Sequence, residues 1–139
     1  MTHKQFDNKY IIRADKGEEL ISVLKDFCRE KEIKLGTISG LGAADKITLG
    51  LFKIKEKKYF PREFSGDYEL ASVLGNISQM NGEVYLHLHA VISDANCQAF
   101  GGHLSSAVIS GTFEGVIEKI DGLVDRKFNE EVGLNLYDF

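Results

Sequence analysis

The chain of 139 residues is 43% hydrophobic and carries a formal net charge of −4 at pH 7. This length and composition suit one domain over residues 1–139 with its own hydrophobic core, and they argue against a disordered or low-complexity chain. The acidic charge disfavours direct binding to DNA, because affinity for nucleic acids depends mainly on positive charge facing the phosphates.

The N-terminus and the cysteines predict the compartment. The first ten residues, MTHKQFDNKY, lack the apolar segment of a signal peptide, and no apolar run approaches the roughly 18 residues of a membrane span. Cys28 and Cys97 show no paired spacing. The sequence therefore predicts a reduced, cytoplasmic protein without a membrane partner.

One amphipathic helix is predicted after an N-terminal strand at residues 9–14. Apolar residues recur at helical spacing over residues 15–32, so one face of this helix is expected to pack on a sheet. Asp15 is predicted to cap the helix, and Glu18, three residues later, completes a capping-box pattern.

From residue 33 onward the pattern predicts short strands that glycines separate or kink. The predicted strands read GTISG, DKITLGLFKI, KKYFPREF, YELASVLGNIS, EVYLHLHAVIS, HLSSAVISGTFEGVIEKI and GLNLYDF. One helix and many strands predict an α+β fold, in which the helix packs on a largely antiparallel β-sheet. A single helix covers only part of such a sheet. The rest is expected to close on itself or to meet other copies of the chain.

Three of the four histidines lie within the segment EVYLHLHAVISDANCQAFGGHL. Side chains alternate along a strand, so His87 and His89 share one face. The next residues are rich in turn formers, with Asn96 suited to a left-handed position, and a turn centred on Asn96 places His103 directly opposite His89. The three imidazoles then converge within reach of one metal ion. A slip of one residue would turn His103 to the other face.

Three histidines without a fourth protein ligand describe an open coordination shell. Zinc sites with three protein ligands usually keep a place for water, which the metal makes acidic and nucleophilic. Two other interpretations stay open. The histidines are polar residues on a solvated sheet face, or they hold a structural metal whose fourth ligand comes from Cys97 or from a carboxylate of a neighbouring copy.

Two further residues are candidates for chemistry. Glu69 lies among apolar neighbours, which favours partial burial and suits a catalytic acid or base, but suits a buried structural pair equally well. Arg13 follows an apolar strand and is isolated from other charges in its own segment. It suits an anchor for an anion near the site, although pairing with a carboxylate is the commoner role of such an arginine.

The segment HLHAVISDANCQAFGGHL resembles the PPC ("plants and prokaryotes conserved") domain family. YIIRADKGEELISVLKDFCREKEI is similar to the opening strand and helix of that family, and GTISGLGAADKITLG to its Gly-rich segment and the strand after it. GDYELASVLGNIS is similar to the stretch that reads Gly-Arg-Phe-Glu-Ile-Leu in plant members. GGHLSSAVISGTFEGVIEKIDG resembles the closing strands, and RKFNEEVGLNLYDF the tail of bacterial members. The resemblance covers nearly the whole chain.

The resemblance implies an α+β domain that assembles into a homotrimer through its sheets. In prokaryotic members it implies a divalent metal, usually zinc, bound at the positions of His87, His89 and His103. Plant members carry AT-hook segments that read DNA, and their domain recruits regulators. This chain lacks the Arg-Gly-Arg-Pro hook, and Asp67 stands where plant members have Arg. The resemblance thus implies a stand-alone, metal-binding trimer with a regulatory or DNA-associated role.

The alternative is a zinc-dependent enzyme. The three-histidine pattern with an open position is similar to that of acetolactate decarboxylase, which has a related-looking fold and binds zinc through three histidines. The chain would then be a lyase or hydrolase for a small carbonyl or ester substrate, with Glu69 as acid or base and Arg13 as anion anchor. A pocket between subunits at the metal would favour this interpretation, and a flat, open site would argue against it. The partners implied are other copies of the chain, DNA or a regulatory protein, or a small-molecule ligand.

Overall fold

The computed structural model describes all 139 residues and contains one α-helix and eight strands. In chain order the elements are β1 (Thr2–Phe6), β2 (Lys9–Asp15), α1 (Leu20–Glu30), β3 (Gly36–Lys53), a 3-10 helix (Ile54–Glu56), β4 (Lys58–Met80), β5 (Glu83–Ser93), β6 (Ala99–Lys119), β7 (Asp125–Asn129) and β8 (Leu134–Asp138). The α+β class with a single α-helix is as predicted. Neither helix is long and apolar enough to cross a membrane.

All eight strands belong to one sheet, and its ladders are antiparallel except for a short parallel contact between β4 and β7. The main path runs β1-β2-β6-β3-β4-β7-β8, and β5 pairs with both β4 and β6. Because β6 also pairs with β3, strands β3, β4, β5 and β6 form a ring of neighbours. The sheet therefore closes partly on itself, which is one of the two predicted ways to bury its apolar face.

Strands β3 and β4 are continuous where the sequence predicted pairs of shorter strands. Glycines taken as separators lie inside them, and Gly42 illustrates the reason. A Cβ at Gly42 would lie 2.1 Å from the backbone oxygen of Thr112 in β6, so this glycine permits close pairing of strands instead of ending one. Register shifts between Gly40 and Gly42 and between Ala44 and Lys46 bend β3 without breaking it.

Helix α1 begins at Leu20, so the prediction that Asp15 caps it was wrong. Asp15 is the last residue of β2 and pairs with Thr112 of β6. The side chain of Glu18 does accept a hydrogen bond from the backbone N–H of Asp15, at 2.7 Å. This bond closes the turn between β2 and α1 instead of the first turn of the helix. Strand pairing, which no local pattern reveals, decides where the helix starts.

Glu19 is the residue that caps α1. Its carboxylate accepts hydrogen bonds from the backbone N–H groups of Ile21 and Ser22, at 3.3 and 2.8 Å. It also accepts a bond from the backbone N–H of Ala107 in β6, at 3.1 Å. One side chain therefore both caps the helix and ties its N-terminus to the sheet.

The core forms between the apolar face of α1 and one face of the sheet. The helix contributes the residues predicted from its spacing: Leu20, Leu24, Phe27 and Cys28. Burial raises the pKa of the Cys28 thiol to about 12, which keeps it a neutral core residue. From β5 the core takes Leu88, Ala90 and Ile92. The alternate residues of β5 consequently point away from the core, and these include two of the histidines.

Candidate metal centre

His87, His89 and His103 converge on one face of the sheet. His89 and His103 are opposed residues of the β5–β6 ladder, so the predicted register is confirmed. The ring centroids are 5.2 Å apart for His87 and His89, 5.4 Å for His87 and His103, and 5.6 Å for His89 and His103. His87 and His103 are half-buried, while His89 is exposed.

The turn between β5 and β6 holds this register. The carboxylate of Asp94 accepts hydrogen bonds from the backbone N–H groups of Asn96 and Gln98, at 2.9 and 3.0 Å. Cys97, and not Asn96, takes the left-handed conformation, with φ of 59°. Cys97 lies exposed in the turn, beyond the last ladder pair of Ser93 with Ala99. The turn thus keeps Cys97 apart from the histidine cluster.

The donor set fits a divalent transition metal. One ligand atom from each imidazole lies within 4.8 Å of the other two. Zinc–nitrogen bonds of about 2.0–2.1 Å place the nitrogens of a tetrahedral site about 3.3 Å apart, so the rings would turn toward one another when they bind a metal ion. Three imidazole nitrogens suit zinc, nickel, iron or copper.

The surroundings keep two of the imidazoles neutral. Burial, with smaller contributions from His103, Arg126 and His89, lowers the pKa of His87 to about 4. Burial and then the proximity of His89 lower the pKa of His103. A metal ligand must be unprotonated, so His87 and His103 are in the binding form near neutral pH.

The histidines line a cavity of about 690 Å³, which is within the size range of small-molecule sites. The C-terminal hairpin of β7 and β8 contributes Arg126, Leu134 and Leu136 to its walls, and β3 contributes Leu51 and Phe52. The site is therefore a pocket. It is not the flat, open surface that would argue against an enzyme.

Tyr59 and Ser105 are further polar residues of this cavity, and Tyr59 was not identified from the sequence. Their hydroxyl oxygens are hydrogen-bonded at 2.7 Å. The ring of Tyr59 lies edge-on to that of His103, with 6.0 Å between the centroids. Two hydroxyl groups therefore accompany the imidazole of His103, where they are available to bond a ligand in the cavity.

Arg126 is the most buried polar residue of the cavity, and it was also missed. It is 8% exposed. Its Nε donates to Oγ of Ser78 at 2.7 Å, Nη2 to Oδ1 of Asn76 at 2.7 Å, and Nη1 to the backbone oxygen of Asn135 at 2.9 Å. The local sequence around Arg126, DRKFN, is polar and gives no sign of this burial.

Two tyrosines hold the plane of the Arg126 guanidinium. Its central carbon lies 4.7 Å from the ring centroid of Tyr85 and 4.3 Å from that of Tyr137. Such cation–π contacts are favourable and fix the orientation of the planar group. The guanidinium is therefore held rigidly in the cavity wall.

The structure does not bring Glu69 or Arg13 to the histidines. Glu69 is exposed on β4, opposite Ser93 at the end of β5, so the expectation of partial burial was wrong. Arg13 is exposed on β2 and pairs with Asp15 at 2.9 Å. Neither residue lines the cavity. The catalytic roles expected for them stay predictions that the position of the two side chains does not support.

Comparison with protein families and curated sequences gives one match. The family model of the Plants and Prokaryotes Conserved (PCC) domain, abbreviated PPC above, matches residues 1–121. No curated protein matches the chain. The matched span includes all three histidines and ends before β7, the strand that carries Arg126.

Several solved structures share the fold over nearly the whole chain. A candidate DNA-binding protein from Bacteroides thetaiotaomicron is 40% identical, with a TM-score of 0.96 and coverage of 99% of this chain and 96% of that chain. A PPC protein from Pyrococcus horikoshii is 29% identical, with a TM-score of 0.87 and coverage of 99% and 94%. A metal-containing protein from Archaeoglobus fulgidus is 26% identical, with a TM-score of 0.88 and coverage of 100% and 99%.

Proposed function

This chain belongs to the Plants and Prokaryotes Conserved domain family, and from that premise we propose that it binds one divalent metal ion, zinc in the first instance, through His87, His89 and His103. The observation that carries the proposal is the convergence of three imidazoles within 4.8 Å of one another on the wall of a cavity. The metal-containing relative from Archaeoglobus fulgidus supports it.

The bound metal would keep an open coordination position facing the cavity. No aspartate or glutamate lines that cavity, so this chain supplies no acidic fourth ligand there. A structural zinc ion normally has four protein ligands, whereas three ligands and a water are typical of sites that act on small molecules. The open position therefore favours a site with a ligand over a purely structural one.

We also propose that the chain assembles as a homotrimer through the outer face of its sheet. Ladder register places Ile11, Val116, Ser39, Leu74 and His89 in one row across that face. Ile11 is 47% exposed and Leu74 58% exposed. Large apolar side chains in the middle of a sheet face are typical of an interaction surface. The number three comes from the family resemblance.

We propose that the chain has a regulatory, DNA-associated role in the cytoplasm. The trimer would perform it by binding a partner, and the partner would contact the DNA. The relative from Bacteroides thetaiotaomicron is named for DNA binding. This chain has a net charge of −4, and in its lysine-rich turn Lys53 is paired with Glu56 at 3.0 Å. The net electrostatic attraction between this chain and a DNA phosphate backbone would therefore be small.

The second candidate function is a zinc-dependent lyase or hydrolase for a small carbonyl or ester substrate. The cavity beside the open metal position favours it. A bound zinc ion would polarise a carbonyl oxygen or supply a hydroxide. Tyr59 lies in the same cavity and is better placed than Glu69 to exchange a proton with a substrate. Glu69 and Arg13 would reach the site only if another copy of the chain brought them there.

Cobalt substitution tests the metal site. Metal-free protein titrated with Co²⁺ is expected to develop the strong visible absorption of a four-coordinate complex, and His103→Ala is expected to lose it. A spectrum identical to that of aqueous Co²⁺ would contradict the site.

A second experiment tests the enzyme. Hydrolysis of p-nitrophenyl acetate by the zinc-loaded protein, lost in the same variant, would favour the enzyme. Cobalt binding without such turnover would favour the binding role.

A further inference from the structure

The cavity contains a buried positive charge that no acidic group of the chain neutralises. The three hydrogen bonds of the Arg126 guanidinium go to neutral oxygens, those of Ser78, Asn76 and Asn135. Arg126 takes part in none of the ion pairs of the chain. A buried charge without a counter-charge is unfavourable, so an anion from outside the chain would be attracted to this position.

Arg126 is close to the predicted metal ligands. Its hydrogen-bond partner Asn76 lies directly across the β4–β5 ladder from His87, and opposed residues have Cβ atoms about 5 Å apart. Tyr85, on which the guanidinium stacks, lies two residues before His87 on the same strand face. The guanidinium and the imidazoles therefore face one shared cavity.

The walls of the cavity indicate the kind of anion. Leu51, Phe52, Leu134 and Leu136 line it, and no acidic side chain does. A divalent metal on the histidines would add two more positive charges. The combination of apolar walls and uncompensated positive charge favours a small organic anion over inorganic phosphate or a strongly hydrated nucleic-acid backbone.

The remaining donors of Arg126 match a carboxylate. A guanidinium has five N–H donors, and three of them are engaged, which leaves two. One of these N–H groups belongs to Nη1 and the other to Nη2, and a carboxylate has two oxygens that can accept from them. Tyr85 and Tyr137 hold the guanidinium of Arg126 in a fixed plane.

We propose that the cavity binds a small organic carboxylate, with Arg126 holding the carboxylate group and the metal on the three histidines contacting the other end of the ligand. The metal contact rests on the proposed function, whereas the contact with Arg126 does not. Arg126 takes the anion-anchoring role that the sequence analysis assigned to Arg13. It comes from β7, outside the part of the chain that the family model matches.

Calorimetric titration with butanoate tests the proposal, and butanamide serves as a neutral ligand of the same shape. In the metal-free wild type, where no zinc ion can bind the carboxylate in place of Arg126, butanoate is expected to bind at least about tenfold more tightly than butanamide, the difference typical of a charged hydrogen bond. Arg126→Met is expected to abolish this preference. Arg126→Lys is expected to reduce it, because lysine keeps the positive charge but has one nitrogen in place of the two terminal nitrogens of arginine. Arg13→Met, which changes an exposed arginine elsewhere, is expected to leave it unchanged.

Equal binding of butanoate and butanamide by the wild type, or no binding of either, would overturn the proposal, and neither result depends on the folding of a variant. Zinc content measured on the same protein before the metal is removed separates the two claims. Zinc present without a preference for butanoate overturns the carboxylate site alone. No zinc, with the preference for butanoate intact, overturns the metal site and upholds the Arg126 anchor.

Discussion

His103 lies opposite His89 in the β5–β6 ladder, and on its other side it pairs with Gly50 of β3. The backbone of this metal-ligand candidate is thus fixed between two neighbouring strands. Gly102, the preceding residue, packs so closely on Gly50 that a Cβ added to Gly102 would lie 2.8 Å from the backbone oxygen of Gly50. The position of the third histidine therefore depends on close contact between two backbones.

The first prediction is that Gly102→Ala disturbs the site and Gly101→Ala does not. The added Cβ of Gly102→Ala meets backbone that cannot yield easily, so the free energy of unfolding should fall by about 1–3 kcal/mol and metal affinity should fall with it. At Gly101 the nearest atoms would be 3.5 and 3.6 Å away, an ordinary contact, so a change within about 0.5 kcal/mol is expected. Urea unfolding of both metal-free variants and Co²⁺ titration measure the two effects. Equal effects of the two variants would contradict this account.

The second prediction concerns the bond that anchors Arg126. Ser78 is fully buried, and its hydroxyl accepts the Nε–H of Arg126 at 2.7 Å. Ser78→Ala removes the acceptor of a charged donor, so the free energy of unfolding should fall by about 1.5–3 kcal/mol. The exposed Ser105→Ala is the matched control and should change it by less than about 0.5 kcal/mol. Chemical denaturation of both variants measures these free energies. An unchanged free energy of unfolding in Ser78→Ala would show that the bond to Arg126 is not important for stability.

The third prediction distinguishes the observed helix cap from the one predicted from sequence. Glu19→Ala removes the cap of α1 and the bond to Ala107, and should cost about 1–2 kcal/mol of unfolding free energy. Asp15→Ala removes only an exposed pair with Arg13, which is worth less than about 1 kcal/mol. Thermal and urea unfolding of both variants test whether Glu19→Ala loses more unfolding free energy than Asp15→Ala. A larger loss for Asp15→Ala would restore the sequence-based cap.

The fourth prediction concerns assembly. Leu74→Asp places a charge in the apolar row on the outer face of the sheet and should convert trimers to monomers, because burying an unpaired carboxylate is unfavourable. Ile54→Asp also changes an exposed apolar residue, 58% exposed like Leu74, but in the 3-10 helix, and should leave trimers intact. Light scattering coupled to size-exclusion chromatography measures the mass. A monomeric wild type, or a Leu74→Asp protein that remains trimeric, would contradict the proposed interface.

The sequence predicted those parts of the fold whose pattern is local. Strand β5 was predicted with its observed bounds, Glu83–Ser93, because its alternation is regular and turns flank it. Strands β1 and β7 were missed because they are polar and largely exposed, with no apolar face to reveal them. The start of α1 was misplaced because Asp15 pairs with a strand almost a hundred residues away.

The candidate site divides in the same way. The histidines could be predicted because one hairpin holds all three, and its turn chemistry specifies the register. Arg126 could not, because the pairing of β7 with β4 and β8 brings it to the cavity from a distant part of the chain. Glu69 and Arg13 were chosen for local polarity in apolar segments, which does not show toward which face or cavity a side chain points.

The most direct test of the metal centre is the metal content per chain of untagged protein, measured by plasma mass spectrometry alongside a His89→Ala variant. We expect about one transition-metal ion per chain in the wild type, zinc foremost, and almost none in His89→Ala. Folded wild-type protein without a transition metal, or equal metal in the variant, would contradict the proposal that the three histidines form a metal site.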